Sequence, residues 1–255
     1  MRLATWNVNS IRARKERLLS WLAKTQPDVV CLQEIKCSDT EFPQAEIEAA
    51  GYQAVWHGQR TYNGVAILAK ANLTDVRRGL GDGGDDSQSR VISAHVLGLR
   101  VFSIYAPNGQ EVGSTAYQFK LEWYARLRTH LEKSDAVTGP LVVAGDFNVA
   151  PDARDVWDAQ ALEGQTLFTL PEREALAELL KLGLVDGLRL HHEQAGLFTW
   201  WDYRMLGFPK NHGMRIDHVL LSESARSRCT QAGVERDERK GKQPSDHAPV
   251  WVELH

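Results

Sequence analysis

The sequence predicts an α/β fold in which two mixed β-sheets pack face to face and helices cover their outer sides. Three observations favour it. Short apolar runs typical of strands alternate with amphipathic stretches typical of helices along the 255 residues. A β-hairpin is predicted among them, which argues against a purely parallel sheet. No linker rich in proline, glycine or serine is long enough to separate two cores, so we expect a single domain over residues 1–255.

Strands are predicted where apolar and β-branched residues follow one another with few interruptions. They cover residues 3–8, 29–32, 65–68, 91–96, 99–105, 140–146, 215–221 and 248–254. Gly98 separates two of these runs by a turn short enough to make them a hairpin. This hairpin predicts that the strands 91–96 and 99–105 are antiparallel neighbours in one sheet.

Helices are predicted where apolar residues recur at spacings of three and four. They cover residues 11–24, 115–131 and 171–182. Ser10 is a candidate N-cap for the first helix, Pro171 suits the first turn of the third, and Gly183 suits the position after its end. Residues 80–89 and 206–213 contain several glycines and are predicted to be loops.

The charge balance excludes a strongly basic protein. The chain has 30 basic and 33 acidic residues, for a net charge of −3. Many DNA-binding proteins are basic overall, but binding depends on the local field, and a bound cation would neutralise several acids. Local basic clusters do occur, and they comprise Arg12, Arg14, Lys15 and Arg17 near the start and Arg236, Arg239, Lys240 and Lys242 near the end.

Neither a signal peptide nor a membrane span is expected. The first residues enter a strand pattern at once, and no apolar run approaches the ~20 residues that cross a bilayer. The three cysteines, Cys31, Cys37 and Cys229, fit no zinc template and are expected to be free thiols. We therefore expect a cytoplasmic protein without membrane contact, and a monomer is the default expectation.

Acidic and amide side chains follow the apolar runs at five places. The clusters are Thr5-Trp6-Asn7-Val8-Asn9, Leu32-Gln33-Glu34, Gly145-Asp146-Phe147-Asn148, Arg215-Ile216-Asp217-His218 and Pro244-Ser245-Asp246-His247. Carboxylates near buried strands are costly unless they pair or hold a metal. Oxygen ligands without a cysteine set indicate a hard cation, Mg²⁺ or Mn²⁺. Glu34 is the best single ligand candidate, the alternative being a salt bridge at a strand end.

The Asp246-His247 pair indicates acid–base or electrostatic chemistry. A histidine beside one acid and oriented by another, Asp217, can hold or transfer a proton. Asp146 and Asn148, on one turn, suit water activation and phosphate contact. Together with a metal they could supply the barrier reduction of about 20 kcal/mol that phosphodiester hydrolysis requires. An isolated Asp-His dipeptide is more often part of the surface.

An aromatic segment follows at residues 198–203. It contains Trp200 and Trp201, and Met214 and Ile216 come soon after it. Two interpretations stay open, a core cluster or a pocket that receives a sugar or stacks a base. The loop predicted for residues 206–213 favours a pocket near the surface.

Taken together, these motifs resemble the exonuclease III family of apurinic/apyrimidinic endonucleases, within the DNase I-like superfamily of metal-dependent phosphoesterases. The resemblance spans nearly the whole chain. The motifs that carry it are Leu32-Gln33-Glu34, Tyr105-Ala106-Pro107-Asn108, Gly145-Asp146-Phe147-Asn148, Trp200-Trp201-Asp202-Tyr203-Arg204, Arg215-Ile216-Asp217 and Ser245-Asp246-His247-Ala248-Pro249. It implies a four-layered α/β sandwich, which agrees with the pattern of elements.

The resemblance also implies roles for single residues. Glu34 is expected to be the principal ligand of Mg²⁺ or Mn²⁺, with Asn7 beside it and Asp246 as a further or outer ligand. The expected catalytic residues are Tyr105 and Asn148 on the scissile phosphate, Asp146 on the attacking water, and His247, paired with Asp217, as donor to a phosphoryl oxygen. The expected substrate contacts are Arg90, Asn108, Trp200, Trp201, Met214 and Ile216.

The activity implied is metal-dependent cleavage of duplex DNA on the 5′ side of abasic sites. Exonuclease activity from 3′ to 5′ and removal of phosphate or phosphodiester blocks from damaged 3′ ends are implied with it. Two alternatives stay open at this point. One is a phosphoesterase for lipid or inositol phosphates, which shares the metal and Asp-His machinery. The other is a non-catalytic DNA-binding scaffold with a decayed site.

Overall fold

The computed structural model describes residues 1–133 and 139–255, and its main elements are two six-stranded mixed sheets. The first sheet contains, in spatial order, β13 (Cys229–Val234), β14 (Val250–Leu254), β1 (Arg2–Asn7), β2 (Val29–Gln33), β4 (Val65–Ala69) and β3 (Gln53–His57). The second contains β5 (Thr74–Arg78), β6 (Val91–Val96), β7 (Leu99–Tyr105), β8 (Leu141–Asp146), β12 (Asp217–Leu221) and β9 (Val185–Asp186). A small two-stranded sheet pairs β10 (Trp200–Trp201) with β11 (Gly213–Met214).

Helices cover the outer faces of both large sheets. The helices of the described residues are α1 (Lys15–Thr25), α2 (Gln44–Ala49), α3 (Thr115–Lys133), α4 (Ala159–Leu162), α5 (Leu170–Leu180), α6 (Gly207–Lys210) and α7 (Glu223–Arg226). Of these, α1 and α2 pack on the first sheet, and α3 and α5 pack on the second. None of them is long and apolar enough to cross a bilayer.

Three apolar clusters hold these layers together. The central one joins the two sheets and includes Val29 and Val101, neither of which is exposed. A second lies outside β7 and β8, where Leu127 of α3 is fully buried. A third packs Leu18 of α1 against Trp6 of β1. Helix, sheet, sheet and helix form four layers, so the predicted four-layered α/β sandwich is confirmed.

Strand register brings the polar strand ends to one edge. β1 and β2 are parallel and pair Asn7 with Gln33, the residue before Glu34. β7 and β8 are parallel and pair Tyr105 with Asp146. β12 is antiparallel to β8 and pairs Asp217 with Asp146. Parallel strands end at the same edge of a sheet, and the antiparallel strand β12 begins at that edge. The side chains of these residues therefore meet at one edge of the two sheets.

The predicted strands are all present, with ends shifted by a residue or two. The hairpin between β6 and β7 is confirmed, and Leu97 and Gly98 both have positive φ, as a two-residue turn of this hand requires. The strands missed by the sequence pattern are either two residues long, as β9 to β11 are, or partly exposed, as β3, β5 and β13 are. Such strands carry no continuous apolar run.

Two local predictions were wrong. The first helix starts at Lys15 instead of residue 11, because residues 11–14 form turns in which Ser10 accepts from the Ala13 and Arg14 amides. Residues 206–213 are not wholly a loop, since α6 lies within them. Leu206 and Asn211 flank that helix with left-handed backbone angles, which is why its ends look like turns in the sequence.

Candidate active site

Asn7 lies at the centre of the edge where β1, β2, β7 and β8 end. Its Nδ2 donates to Glu34 Oε1 at 2.8 Å and to Asp146 Oδ2 at 2.9 Å. Its Oδ1 accepts the Asn9 backbone N–H at 3.0 Å, which fixes the orientation of the amide. The amide therefore presents hydrogens to both carboxylates and its oxygen faces away. Asn7 stays a predicted metal ligand, and in this structure it positions the Glu34 and Asp146 carboxylates.

The two carboxylates and His247 form a compact group. One ligand-type atom from each of Glu34, Asp146 and His247 lies within 4.8 Å of the others, the only such group found in residues 1–133 and 139–255. Glu34 has a φ of +50°, a strained angle for a non-glycine residue that recurs at functional sites. Its Oε2 forms an ion pair with Lys36 Nζ at 2.6 Å. The Glu34 carboxylate thus pairs with the Lys36 ammonium in this structure. The carboxylates of Glu34 and Asp146 together suit Mg²⁺ or Mn²⁺.

His247 is held by Asp217 and faces Asp146. Its Nδ1 lies 2.8 Å from Asp217 Oδ2 and its Nε2 lies 3.7 Å from Asp146 Oδ2. Burial alone would lower the pKa of His247, but the Asp217 and Asp146 carboxylates outweigh it and raise that pKa well above the usual range. A protonated imidazole has no free lone pair for a metal. The Glu34 and Asp146 carboxylates are therefore the candidate ligands in this group, and the imidazole is a candidate hydrogen-bond donor.

Asp146 is a buried acid among other acids. Burial raises its pKa above the usual range, the nearby Asp217 and Glu34 charges add to the rise, and His247 and Asn7 oppose it. Its Oδ1 accepts the Asn148 backbone N–H at 2.9 Å. A carboxyl group in such a setting can accept a proton more readily than an exposed one.

Asn148, Asn108 and Tyr105 surround this group on one side. Asn148 has a φ of +51° and donates through Nδ2 to the Ala106 carbonyl at 3.0 Å. Asn108 Nδ2 donates to Asn148 Oδ1 at 3.2 Å. Burial raises the pKa of Tyr105 well above its usual range, so its hydroxyl keeps its proton and can donate. The structure brings these predicted phosphate contacts together beside Asp146.

Arg90 and Glu34 both line one open groove. The Arg90 guanidinium lies 4.8 Å from the centre of the Tyr105 ring and donates to the Tyr105 carbonyl at 3.1 Å. The groove has a volume of about 660 Å³ and is lined by Glu34, Gln59, Tyr62, Asn63, Gln88, Arg90, Tyr105, Pro107, Asn108, Gly109, Gln110, Thr115, Ala116 and Phe119. An open polar groove of this kind can take a strand with its phosphates.

Trp200, Met214 and Ile216 form one apolar cluster on the other side. Met214 pairs with Trp200 across the small sheet, and Trp200 forms a β-bridge with His247. Trp200 is half-buried, whereas Met214 is 5% exposed and Ile216 only 1%. The exposed surface of this cluster is therefore mainly that of Trp200, and Met214 and Ile216 are buried.

Trp201 was predicted to contact substrate, and the structure corrects this. Its side chain is fully buried and packs against Phe198 and Phe208. Its Nε1 donates to Asn211 Oδ1 at 3.2 Å. Successive side chains of a strand point to opposite faces, so the neighbour of the half-exposed Trp200 enters the core.

Asp246 lies outside the compact group of ligand atoms. Its Oδ1 accepts from Asn9 Nδ2 at 3.0 Å and its Oδ2 accepts from Trp200 Nε1 at 3.1 Å. Both oxygens thus tie the loop after β1 and strand β10 to the segment that carries His247. These contacts suit the outer of the two ligand positions expected for Asp246.

Lys120 is a site residue that the sequence pattern missed. It lies on α3 with no exposed surface, and its Nζ donates to the carbonyls of Asn108 at 3.1 Å and Asn148 at 2.7 Å. The same ammonium pairs with the buried Glu172 carboxylate. The sequence offered one signal, that Lys120 lies next to the apolar face of a predicted helix. A lysine in that position is usually solvated, so the signal did not predict burial.

A second buried charge network supports the strand that carries Asp217. Arg215 donates to both oxygens of Asp155, to Asp186 and to His218 Nδ1. His218 Nε2 lies 2.9 Å from the Val149 carbonyl. Burial and the Arg215 charge lower the pKa of His218, so it is neutral when folded. The charge of Arg215 and its hydrogen bond outweigh burial and lower the pKa of Asp186.

This network predicts an acid-dependent loss of stability. His218 stays neutral in the folded chain but takes up a proton when unfolded below its ordinary pKa of about 6.5. The unfolded state then binds more protons, so stability falls as pH falls from 7 to 5, by at most about 1.4 kcal/mol per pH unit. Asp186 adds a loss of the same sign below its ordinary pKa of about 3.9. His247 has the opposite sign because its folded pKa is raised.

Denaturant unfolding of the wild type and His218→Asn at several pH values isolates the contribution of His218. The wild type should lose more stability than the variant between pH 7 and 5. Equal slopes would show that the ring is protonated in the folded protein.

The protein-family comparison matches residues 4–247 to the endonuclease/exonuclease/phosphatase family. The chain is 37% identical to an exodeoxyribonuclease III of Haemophilus influenzae, with all of both chains covered. It is 32% identical to the DNA repair nuclease APEX1 of Danio rerio, covering the whole chain and 82% of that protein.

Solved structures agree with these relatives. The 3′ phosphatase NExo from Neisseria, bound to a product DNA hairpin, superposes with a TM-score of 0.97 at 40% identity, covering 100% of this chain and 99% of that one. An AP endonuclease from Archaeoglobus fulgidus superposes with a TM-score of 0.96 at 35% identity, with the same coverage. The resemblance inferred from the motifs is confirmed, and the chain belongs to the endonuclease/exonuclease/phosphatase family, among nucleases of the exonuclease III type.

Proposed function

We propose that the protein is a DNA-repair nuclease that hydrolyses the phosphodiester 5′ to abasic sites in duplex DNA. We extend the proposal to 3′→5′ exonuclease activity and to removal of phosphate or phosphodiester groups from damaged 3′ ends. The observation that carries it is the compact group of Glu34, Asp146 and His247, with Asp217 on the imidazole. That group occurs in a chain whose full-length relatives are named exodeoxyribonuclease III and DNA repair nuclease.

Glu34, with Asp146 beside it, would hold Mg²⁺ or Mn²⁺. When bound, the cation supplies positive charge to the phosphate oxygens and lowers the pKa of water. Asn7 keeps the two carboxylates at a fixed separation by donating to both. Asp246 would lie further from the cation than these carboxylates, and it holds Asn9 and Trp200 in place.

His247 donates a proton or hydrogen bond to a phosphoryl oxygen, and Asp217 holds the ring in the orientation that points Nε2 into the site. Asp146 positions the attacking water and accepts its proton, because burial raises the proton affinity of this carboxylate. Asn148 and Tyr105 donate to the scissile phosphate. Both pKa values are raised, so we propose the buried carboxylate of Asp146 as the base and the protonated imidazole of His247 as the donor.

Arg90 and Asn108 are proposed to contact the DNA backbone along the groove that Glu34 also lines. Trp200, backed by Met214 and Ile216, is proposed to receive the sugar of the abasic nucleotide. Every proposed site residue lies between Asn7 and His247 of one chain, and we propose a monomer with a single domain over residues 1–255. A cytoplasmic location is likewise proposed.

The direct test is incision of a duplex with one tetrahydrofuran abasic analogue. We expect cleavage 5′ to the analogue with Mg²⁺ or Mn²⁺, no cleavage with EDTA, and recovery on adding the metal back. Undamaged duplex serves as the control for selectivity and inositol phosphates as the control for reaction class.

Three results would contradict the proposal. Absence of cleavage at any tested pH would remove the nuclease activity. Tight binding without cleavage would favour a scaffold, and hydrolysis of inositol phosphates in place of DNA would favour the lipid or inositol phosphoesterase.

A further inference from the structure

Trp157 is the exposed member of the eight tryptophans. Its side chain is 40% exposed, whereas the other seven tryptophans, all in the described part of the chain, are buried or half-buried. Its ring stacks on the imidazole of His212 with centroids 3.9 Å apart and planes 9° from parallel. Large aromatic surfaces are usually buried, so an aligned pair left open to solvent needs an explanation.

The backbone fixes the pair beside the candidate active site. The Trp157 N–H donates to the Gly213 carbonyl at 3.1 Å, and the preceding residue, Val156, forms a β-bridge with Met214. Met214 pairs with Trp200, which bridges to His247. Three interstrand steps of about 4.8 Å place Val156 about 14 Å from His247, a distance of a few nucleotides along a DNA strand.

A lysine lies close in sequence to His212 of the pair. Lys210, at the end of α6 and two residues before His212, is exposed. It forms no ion pair in the parts of the chain that the structure describes, 1–133 and 139–255. An aromatic face with a neighbouring unpaired ammonium matches the two components of a nucleotide, a base and a phosphate.

We propose that the Trp157–His212 stack is a platform on which one base near the cleavage position stacks. This inference rests on the proposed function, because it takes DNA as the ligand of the neighbouring site. The indole supplies the open face and the imidazole behind it keeps the indole from rotating. Lys210 contacts a phosphate of the same strand.

The experiment measures DNA binding in EDTA, where no incision occurs. The probes are a hairpin duplex with one tetrahydrofuran analogue and matched hairpins that lack one further base at successive positions on either side. Trp157→Ala should bind the first hairpin about 5- to 150-fold more weakly than wild type, since a stacked base contributes about 1–3 kcal/mol. On the hairpin that lacks the stacked base, the variant and the wild type should bind equally.

Matched variants separate stacking from charge and folding. Trp157→Phe and His212→Phe keep an aromatic ring and should retain most of the affinity, whereas His212→Ala should lose part of it. Trp157→Ala should leave the salt dependence of binding unchanged, and Lys210→Ala should lower its slope by about one phosphate contact. Leu97→Ala, in the turn at the far end of β7, removes a comparable exposed side chain and should change nothing.

The outcomes are distinguishable. If the wild type neither binds nor incises abasic DNA, the proposed function fails and the platform fails with it. If the wild type incises but Trp157→Ala binds every hairpin as tightly, only the platform is overturned. A uniform loss on all hairpins, including those with missing bases, would also overturn base stacking.

Discussion

Replacing His247 by asparagine is expected to lower kcat for incision of an abasic duplex by about 10³-fold, the cost of losing one preorganised donor to a developing oxyanion. The imidazole is buried, its proton is stabilised by Asp217 and Asp146, and its Nε2 lies 3.7 Å from Asp146 Oδ2. Asparagine cannot place a charged donor at the same point. Single-turnover kinetics with saturating enzyme would measure the chemical step without the contribution of product release.

Asp217→Asn should cost nearly as much, because it removes the acceptor that orients the ring and holds its charge. Groups that act as a unit are strongly non-additive. The double variant should therefore be little slower than His247→Asn alone, and KM should change much less than kcat in all three.

A matched control uses another histidine. His95 lies exposed on β6, away from the strand ends that form the site, and His95→Asn should leave kcat unchanged. Additive losses in the Asp217/His247 double variant would show that the two residues act separately. Unchanged kcat in His247→Asn would remove this residue from the catalytic assignment.

Lys120→Met is expected to destabilise the protein by about 3–5 kcal/mol, since it leaves the Glu172 carboxylate buried without its cation. Neither side chain has any exposed surface. Glu172 also accepts from the backbone N–H groups of Leu167 and Thr169, so it cannot move to solvent without breaking the start of α5. Denaturant unfolding would measure the loss, and the thermal midpoint should fall by about 10 °C for a chain of this size.

The double variant Lys120→Met/Glu172→Gln tests the cause. Glutamine keeps an acceptor for the helix start but carries no charge, so the double variant should be more stable than Lys120→Met alone. A double variant less stable than the single one would show that the loss comes from packing, not from the unpaired carboxylate.

Activity provides a second readout of Lys120. The ammonium holds the carbonyls of Asn108 and Asn148, the two residues proposed on the DNA backbone and the scissile phosphate. At a temperature where both variants are folded, incision by the double variant should stay below wild type although its stability is largely recovered. Full recovery of both would limit Lys120 to a structural role.

Most of the architecture could be predicted because the strands that build it are continuous apolar runs. β2 and β4 are buried along their whole length, and a continuous apolar run of this length predicts a buried strand. β5 is mostly exposed and β10 has two residues, so neither leaves a pattern that distinguishes it from a loop. The start of α1 was misplaced because Ser10 caps a turn that precedes the helix.

The sequence by itself determined which residue types stand at the ends of the strands: Glu34 after β2, Asp146 at the end of β8 and His247 shortly before β14. Those types already indicated a hard cation and a phosphate. Only the tertiary structure decided that Asn7 donates its N–H groups to two carboxylates and that Trp201 enters the core. It also decided that Lys120 holds the carbonyls of two loops. Orientation and burial of a side chain depend on register and on neighbours far away in the chain, and a local pattern of a few residues contains neither.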